Sequence, residues 1–419
     1  MKKRAKCPRE NRTITVDFND EATYHQLCSD GKAFIEFIVA FIASIGFQLA
    51  HKCSCSGSSC LTRHSHYARV CLNGLIIWRV QCTACRAVFT VLPHFVLRYR
   101  KMKAEVAKKA LWATHGGLSL ELCAVIENVC PMAIYRLVCA VGRTCLVRLL
   151  TRCHLPLPES FIADEKHTHC LDKRVYLPTI GVRRVIWHLG YTTSKSVKAF
   201  AASYGELRQA AFAIEKSYPV EGILTDGFNS TRKSLQRLFP TAKIANCMLH
   251  ATFKLPAQIQ GVAKAVRQTL CEQFRRIFFV QNARKTPNNP SLGQRLRRFV
   301  EQVRSLAGEE NGGRVRRWIE RKKAGWHVLF EDPNIPRTTT LIDQFHNAMD
   351  RKLFMMKGFH HEGGSQRVFL NGFAILENLI PYQRRAINGG KCAIQVEGGK
   401  VPTKDWFLNL QILTSGGFQ

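Results

Sequence analysis

The stretch SFIADEKHT (160–168), followed by VYLPTIGV (175–182), RVIWHLGY (184–191), VEGILT (220–225) and AKIAN (242–246), decides the fold. Each piece is a short apolar or alternating run bounded by turn residues, which is the pattern of a strand. A helical pattern near Ser194–Ser217 separates the third piece from the fourth, and another near Ser230–Phe239 separates the fourth from the fifth. Three consecutive strands and then helix, strand, helix, strand predict an α/β sheet that combines antiparallel hairpins with parallel crossovers.

Outward from this segment the chain is strongly basic. Its 419 residues carry 62 Lys+Arg against 30 Asp+Glu, a formal charge of +32. Such a charge self-repels without a polyanion, and nucleic acid is the commonest partner for a folded chain of this kind. At 46% hydrophobic and 22% charged, the sequence has ample apolar area to bury, which excludes a disordered basic tail. Downstream, residues 256–335 read as basic helices, expected as an all-helical insertion. Between Arg275 and Lys323 there are fourteen Lys/Arg, among them Arg297, Arg298, Arg316 and Arg317, against four glutamates. Residues 336–388 hold two further helical stretches, from Thr338 and over Gln366–Leu379, and 389–419 is a Gly-punctuated tail with strand-like pieces and no assignable role.

Upstream, Ala33 to Ala50 (AFIEFIVAFIASIGFQLA) is almost wholly apolar but short for a membrane span and carries Glu36. It is expected as a buried or interface-forming helix within an N-terminal helical segment, residues 1–50. Of the 17 cysteines, all but Cys247, Cys271 and Cys392 lie at or before Cys170. With an odd count and no signal-like apolar run after the charged start, a reducing cytoplasm is expected, with cysteines serving as metal ligands or buried thiols. Cys82-Thr-Ala-Cys85 aims two thiolates at one point, and a second pair from about 25 residues earlier would complete a tetrahedral Zn²⁺ site. Cys55 with Cys60, or Cys53 with either of them, would be that pair, with His51, His64 and His66 as further candidates, within a zinc ribbon expected over residues 51–100.

Residues 101–157 read as helices containing a helix-turn-helix pattern, GLSLELCAVIENVCPMAIYRLVCAVG (117–142). Ser119 is placed to cap the first helix, with Leu120, Cys123 and Ala124 inward, and Pro131 to open the second. Met132, Ile134, Leu137, Val138 and Val141 are expected inward, leaving Tyr135, Arg136 and Arg143 for DNA.

Three acids carry the chemistry. Asp164 lies in the first strand of the decisive segment, and Asp226 ends the fourth, at the carboxyl edge where open sheets bind ligands. The strand order is that of an RNase H-like sheet, in which the first and fourth strands are neighbours, so these two carboxylates should face each other. Adjacent carboxylates repel unless a cation sits between them, and paired Mg²⁺ or Mn²⁺ ions about 3.5–4 Å apart are a standard means of attacking phosphodiesters.

In these features the chain resembles bacterial insertion-sequence transposases of the DDE type. The resemblance rests on Ala163-Asp164-Glu165-Lys166, Leu224-Thr225-Asp226-Gly227 and Thr338-Thr-Thr-Leu-Ile-Asp343. The family's third acid is typically a glutamate; here it is Asp343, with Asp350, two turns along the same face, as the alternative and Glu362 as a third. Cys247-Met-Leu-His250 resembles the CxxH element of several transposase groups, Mutator-like ones among them, which implies an auxiliary role for Cys247 and His250. The resemblance implies a multidomain α/β protein with an RNase H-like core (158–255 and 336–388) that holds two Mg²⁺ (or Mn²⁺), binds double-stranded DNA at element ends and target, and acts as a homodimer or larger assembly at the bacterial nucleoid, without a membrane. The rival expectations are a zinc-ribbon and helix-turn-helix regulator with a degenerate core, and an RNase H-like nuclease or junction resolvase.

Overall fold

The β-branched run Thr13–Val16, fully buried, opens the fold as strand β1 and not as part of a separate helical segment. The computed structural model describes residues 12–49, 60–98, 100–278, 289–356, 358–360 and 365–416. The chain forms two compact units, residues 1–155 with 364–419, and residues 156–363.

In the first unit β1 is followed by helices α1 (Glu21–Ser29) and α2 (Gly31–Ile45). Asp20 and Asp30 cap them, each accepting backbone N–H groups of the first turn. Of the apolar run 33–50, Phe34, Ile38, Ile42 and Ile45 form a buried stripe at helical spacing. Strands β2 (Leu61–Arg69), β3 (Leu75–Cys82) and β4 (Val88–Pro93) then build a four-stranded sheet of order β1-β4-β3-β2. Helices α3 (Ala104–His115), α4 (Leu120–Ile126), α5 (Pro131–Val141) and α6 (Leu146–Arg152) complete this part of the chain. Ser119 caps α4 by accepting Leu122 N–H, Pro131 opens α5, and the two helices meet at 112°. No single helix among the described residues is long and apolar enough to cross a membrane.

The second unit holds the decisive segment. Its strands β5 (Ser160–Cys170), β6 (Lys173–Val182) and β7 (Val185–Leu189) pair antiparallel; after α7 (Val197–Phe212), strand β8 (Gly222–Thr225) lies parallel to β5, and after α8 (Asn229–Leu238), β9 (Lys243–Asn246) lies parallel to β8. The order is β7-β6-β5-β8-β9, a mixed sheet with its first and fourth strands adjacent. Alternation along β5 sends residues to opposite faces. Phe161 meets Phe239 after α8, whereas Ile162 joins a core with Leu224, Ala245 and Ile342. Helices α9 (Met248–Lys254), α10 (Lys264–Phe278), α11 (Asn289–Ala307) and α12 (Glu309–Glu331) follow, then α13 (Thr340–Met355).

The described residues of 256–335 are largely helical, and they do not stand apart from the sheet. Phe274, Phe278, Trp318 and Trp326 share one core with Ile162, Leu224 and Ala245. Gly325 lets α12 run against β9, since a Cβ there would lie 2.2 Å from Asn246 Nδ2.

The chain ends in the first unit with α14 (Ser365–Leu379), α15 (Ala393–Val396) and α16 (Trp406–Thr414). The core expected over 336–388 therefore stops before α14. The reason is a close helix crossing: a Cβ on Gly372 would lie 2.2 Å from Val138 O, and one on Gly142 1.7 Å from Val368 O. Nor do the described residues of the tail, 389–416, form a named strand: Trp406, Phe407, Leu410 and Leu413 are buried along α16, which Asp405 caps.

Candidate active site

Asp164 sits on central strand β5 one residue beyond the last β5–β8 pair, Ala163 with Thr225. Asp226 is the next residue after β8, so the two acids meet where that ladder ends. Asp164 follows Ile162 onto the α13 face, and Asp343, in the first turn of α13, comes down on it. The neighbouring Glu165 turns to the other face, where Thr231 of α8 donates to its Oε2 at 2.6 Å. Because β8 has ended, Asp226 is open to both.

Two groups of candidate metal ligands result, each with its ligand atoms within 4.8 Å of one another: Asp164 with Glu165 and Asp226, and Asp164 with Asp343 and His346. Asp164 belongs to both. The electrostatics fit a cation. Burial, with the charges of Asp226 and Asp343, pushes the Asp164 carboxyl up to about 7. Burial, with Asp226, pushes Glu165 up to about 9, against the hydrogen bond from Thr231. Asp226 is fixed by the Phe228 N–H on Oδ1 at 2.6 Å and by Lys254 Nζ on Oδ2 at 3.1 Å. Burial and then the charges of Lys254 and Arg232 hold the Lys322 ammonium below its ordinary value.

The third acid and the CxxH element are joined by one buried hydroxyl. Thr339 Oγ1 donates to Asp343 Oδ2 at 3.2 Å and lies 3.1 Å from His250 Nδ1 and 3.6 Å from Cys247 Sγ. The hydrogen bond with Cys247 raises the His250 pKa against the effect of burial. Burial acts to raise the Cys247 thiol, yet its bonds with His250 and Thr339 bring it below the ordinary value. Asp350 is ion-paired with Lys166 and belongs to neither ligand group. Glu362 lies outside the described residues.

Glu165 and His346 escape a reading of the sequence alone. For His346 a signal exists, because Asp343 and His346 stand three apart on one helix face. For Glu165 strand alternation argues against sharing a site with its neighbour; only the early end of β8 permits it.

In the first unit, Cys60 immediately precedes β2, whose first residue pairs with Cys82. Thr83 N–H donates to Cys60 O at 2.7 Å, and Arg86, at φ 57°, closes the Cys82–Cys85 turn with its N–H on Cys82 O. Cys60, Cys82 and Cys85 thus lie near one end of the sheet, but among the described residues their sulfurs do not form a group within metal-sharing range; Cys53 and Cys55 lie outside the described residues. Arg136 and Arg143 are exposed. Tyr135 is half-buried: it stacks on Phe369 at 5.0 Å and its hydroxyl donates to Ser365, because α14 packs on that side of α5. Met132, expected inward, is 50% exposed. In the second unit Arg297, Arg298, Arg316 and Arg317 are all exposed on α11 and α12. The chain matches no protein-family model and no curated protein.

Proposed function

We propose that this protein is a DNA transposase of the DDE/DDD type on an RNase H-like sheet, which holds the ends of a mobile element and cleaves and joins phosphodiesters. The observation that carries the reading is the convergence of three acids distant in sequence, Asp164, Asp226 and Asp343, at one edge of a sheet ordered third-second-first-fourth-fifth. Divalent cations bound there, Mg²⁺ or Mn²⁺, would turn water or a 3′-hydroxyl into a nucleophile and neutralise the leaving 3′-oxygen.

The chain's own groups do the remaining work. Asp164, common to both ligand groups, ties the two halves of the centre together. Thr339 orients Asp343, and the Phe228 N–H and Lys254 orient Asp226. Lys254, Lys322 and Arg232 surround the acids with positive charge that draws in a phosphodiester. Arg297, Arg298, Arg316 and Arg317 face solvent and suit the DNA backbone. Structural Zn²⁺ on Cys60, Cys82 and Cys85 with Cys55 or Cys53 would brace the N-terminal sheet, and removal of one zinc per chain by Cys82→Ser tests it. Arg136 and Arg143 would read the element ends, and joining two ends calls for two protomers.

The test is incubation of end-containing DNA with the protein and Mg²⁺ or Mn²⁺. Wild type should nick and join, while Asp226→Ala should bind equally and do neither. Binding without cleavage under either metal overturns the enzyme reading in favour of a DNA-binding regulator. Cleavage without joined products favours a nuclease or junction resolvase.

A further inference from the structure

We infer that His346 is a metal ligand and that the centre contains two chemically unlike cation sites. One is all-oxygen, at Asp164, Glu165 and Asp226. The other is mixed, at Asp164, Asp343 and His346, and selects a first-row transition ion such as Mn²⁺ over Mg²⁺. This rests on the reading of the cluster as a metal-dependent centre, and goes beyond it by assigning an imidazole ligand and a preference to one half.

A buried histidine on an apolar helix face is ordinarily a core residue satisfied by its hydrogen bonds. His346 is 5% exposed, and its one hydrogen bond among the described residues runs from Nε2 to Thr179 Oγ1, at 2.9 Å. Thr179 is fully buried and pairs directly with Asp164 in the β5–β6 ladder. Its hydroxyl donates to Leu177 O at 3.0 Å, so towards the ring it accepts. The ring is thus held through Nε2, and its other nitrogen remains for a ligand. A polar group fixing the far nitrogen is how metal-ligating histidines are oriented.

The facing groups are also acceptors. Asp164 takes one hydrogen bond, from Glu165 N–H to Oδ1, and Asp343 takes that of Thr339 on Oδ2. A ring nitrogen of His346 and the carboxylates of Asp164 and Asp343 lie within 4.8 Å of one another. Two carboxylates at that range repel each other unless a cation sits between them, and the ring nitrogen beside them can complete its ligand set. Imidazole is a good ligand for first-row transition ions, whereas Mg²⁺ prefers an octahedron of oxygens, so the two groups should part company in metal preference.

The test is pulsed electron paramagnetic resonance of the full chain titrated with Mn²⁺. Bound Mn²⁺ should show the ¹⁴N coupling of a directly bonded imidazole, persisting when excess Mg²⁺ fills the other site. In His346→Asn the coupling should vanish and Mn²⁺ affinity at that site fall by at least ~10-fold. Asp343→Asn, at a half-buried position, should remove the same coupling and serves if the His346 variant does not fold. Mn²⁺ bound without nitrogen coupling, or coupling that survives both substitutions, overturns this inference and leaves the proposed function standing. Failure of the wild type to bind Mn²⁺ at all overturns both.

Discussion

Asp164→Asn is expected to stabilise the metal-free protein at neutral and alkaline pH while it abolishes the chemistry. Burial, together with Asp226 and Asp343, raises this carboxyl from 3.8 to about 7. Between those values the native state holds a proton that the unfolded chain has released. The associated stability is therefore fully present below about pH 4 and is lost as pH rises through about 7. About three units at ~1.4 kcal/mol each set an upper limit of ~4 kcal/mol, of which an asparagine should recover on the order of 2–4 kcal/mol. Glu165, raised from 4.5 to about 9, extends the decline in the wild type to higher pH. The assay is denaturant unfolding with a chelator present, at about pH 5 and about pH 8. The asparagine variant should be more stable than wild type at both values but by more at the higher, since by about pH 5 only about 1.2 of the three units has been lost. Added cation should reverse the order, since a ligand at 100 times its Kd stabilises the native state by ~2.7 kcal/mol and the variant forgoes that gain. A variant no more stable than wild type at about pH 8, or a difference unchanged between the two pH values, would refute the reasoning.

Asp343→Asn should abolish cleavage with fold and DNA binding retained, whereas Asp350→Asn should lose only its ion pair with Lys166 and keep most activity, as a nicking assay on both variants will read. Replacing Arg297, Arg298, Arg316 and Arg317 together with glutamine should weaken DNA binding for all sequences alike and flatten the slope of log K against log salt by up to about four, at ~0.9 for each phosphate no longer neutralised; an unchanged slope would remove these helices from the interface. Gly372→Ala puts a methyl 2.2 Å from Val138 O and should cost the first unit ~1–3 kcal/mol or more, measured by thermal unfolding.

The sheet is legible in the sequence because its strands are short apolar runs separated by turn residues, and their order alone brings the first and fourth together. That adjacency makes Asp164 and Asp226 a pair on sequence grounds. Asp343 is harder, since one carboxylate in the first turn of a helix is equally an ordinary favourable charge at a helix N-terminus. The structure separates it from Asp350 by partners: a buried threonine holds one and a half-buried lysine the other. What local pattern does not carry is which surface an apolar helix covers. Helix α14 is apolar on most of its circumference and fits either unit by composition; its place is decided by two glycines, Gly372 and Gly142, whose partners are distant in sequence. The same helix packs against Tyr135 and half-buries it, an outcome with no trace in the α4–α5 sequence.

The abundance of basic residues and the scarcity of acids meet at Asp226. Four carboxylates, those of Asp164, Glu165, Asp226 and Asp343, crowd an edge where two of them resist ionisation, and an isolated cluster of this kind would be strongly self-repelling. Lys254 answers it directly, donating to both the backbone oxygen and Oδ2 of Asp226. Lys322 answers it from α12, and its approach depends on Gly227: the turn there has φ +93°, and a Cβ would stand 2.9 Å from Lys322 Nζ. A residue other than glycine would strain the backbone and displace the ammonium at once. The lysines in turn repel each other and Arg232, which is part of why Lys322 is driven below its ordinary pKa. Acids and bases here each lower the cost of the other, and the balance is incomplete on both sides. The acids still favour cations and the lysines an anion, which are the two charges that a metal-loaded phosphodiester would bring to the same edge.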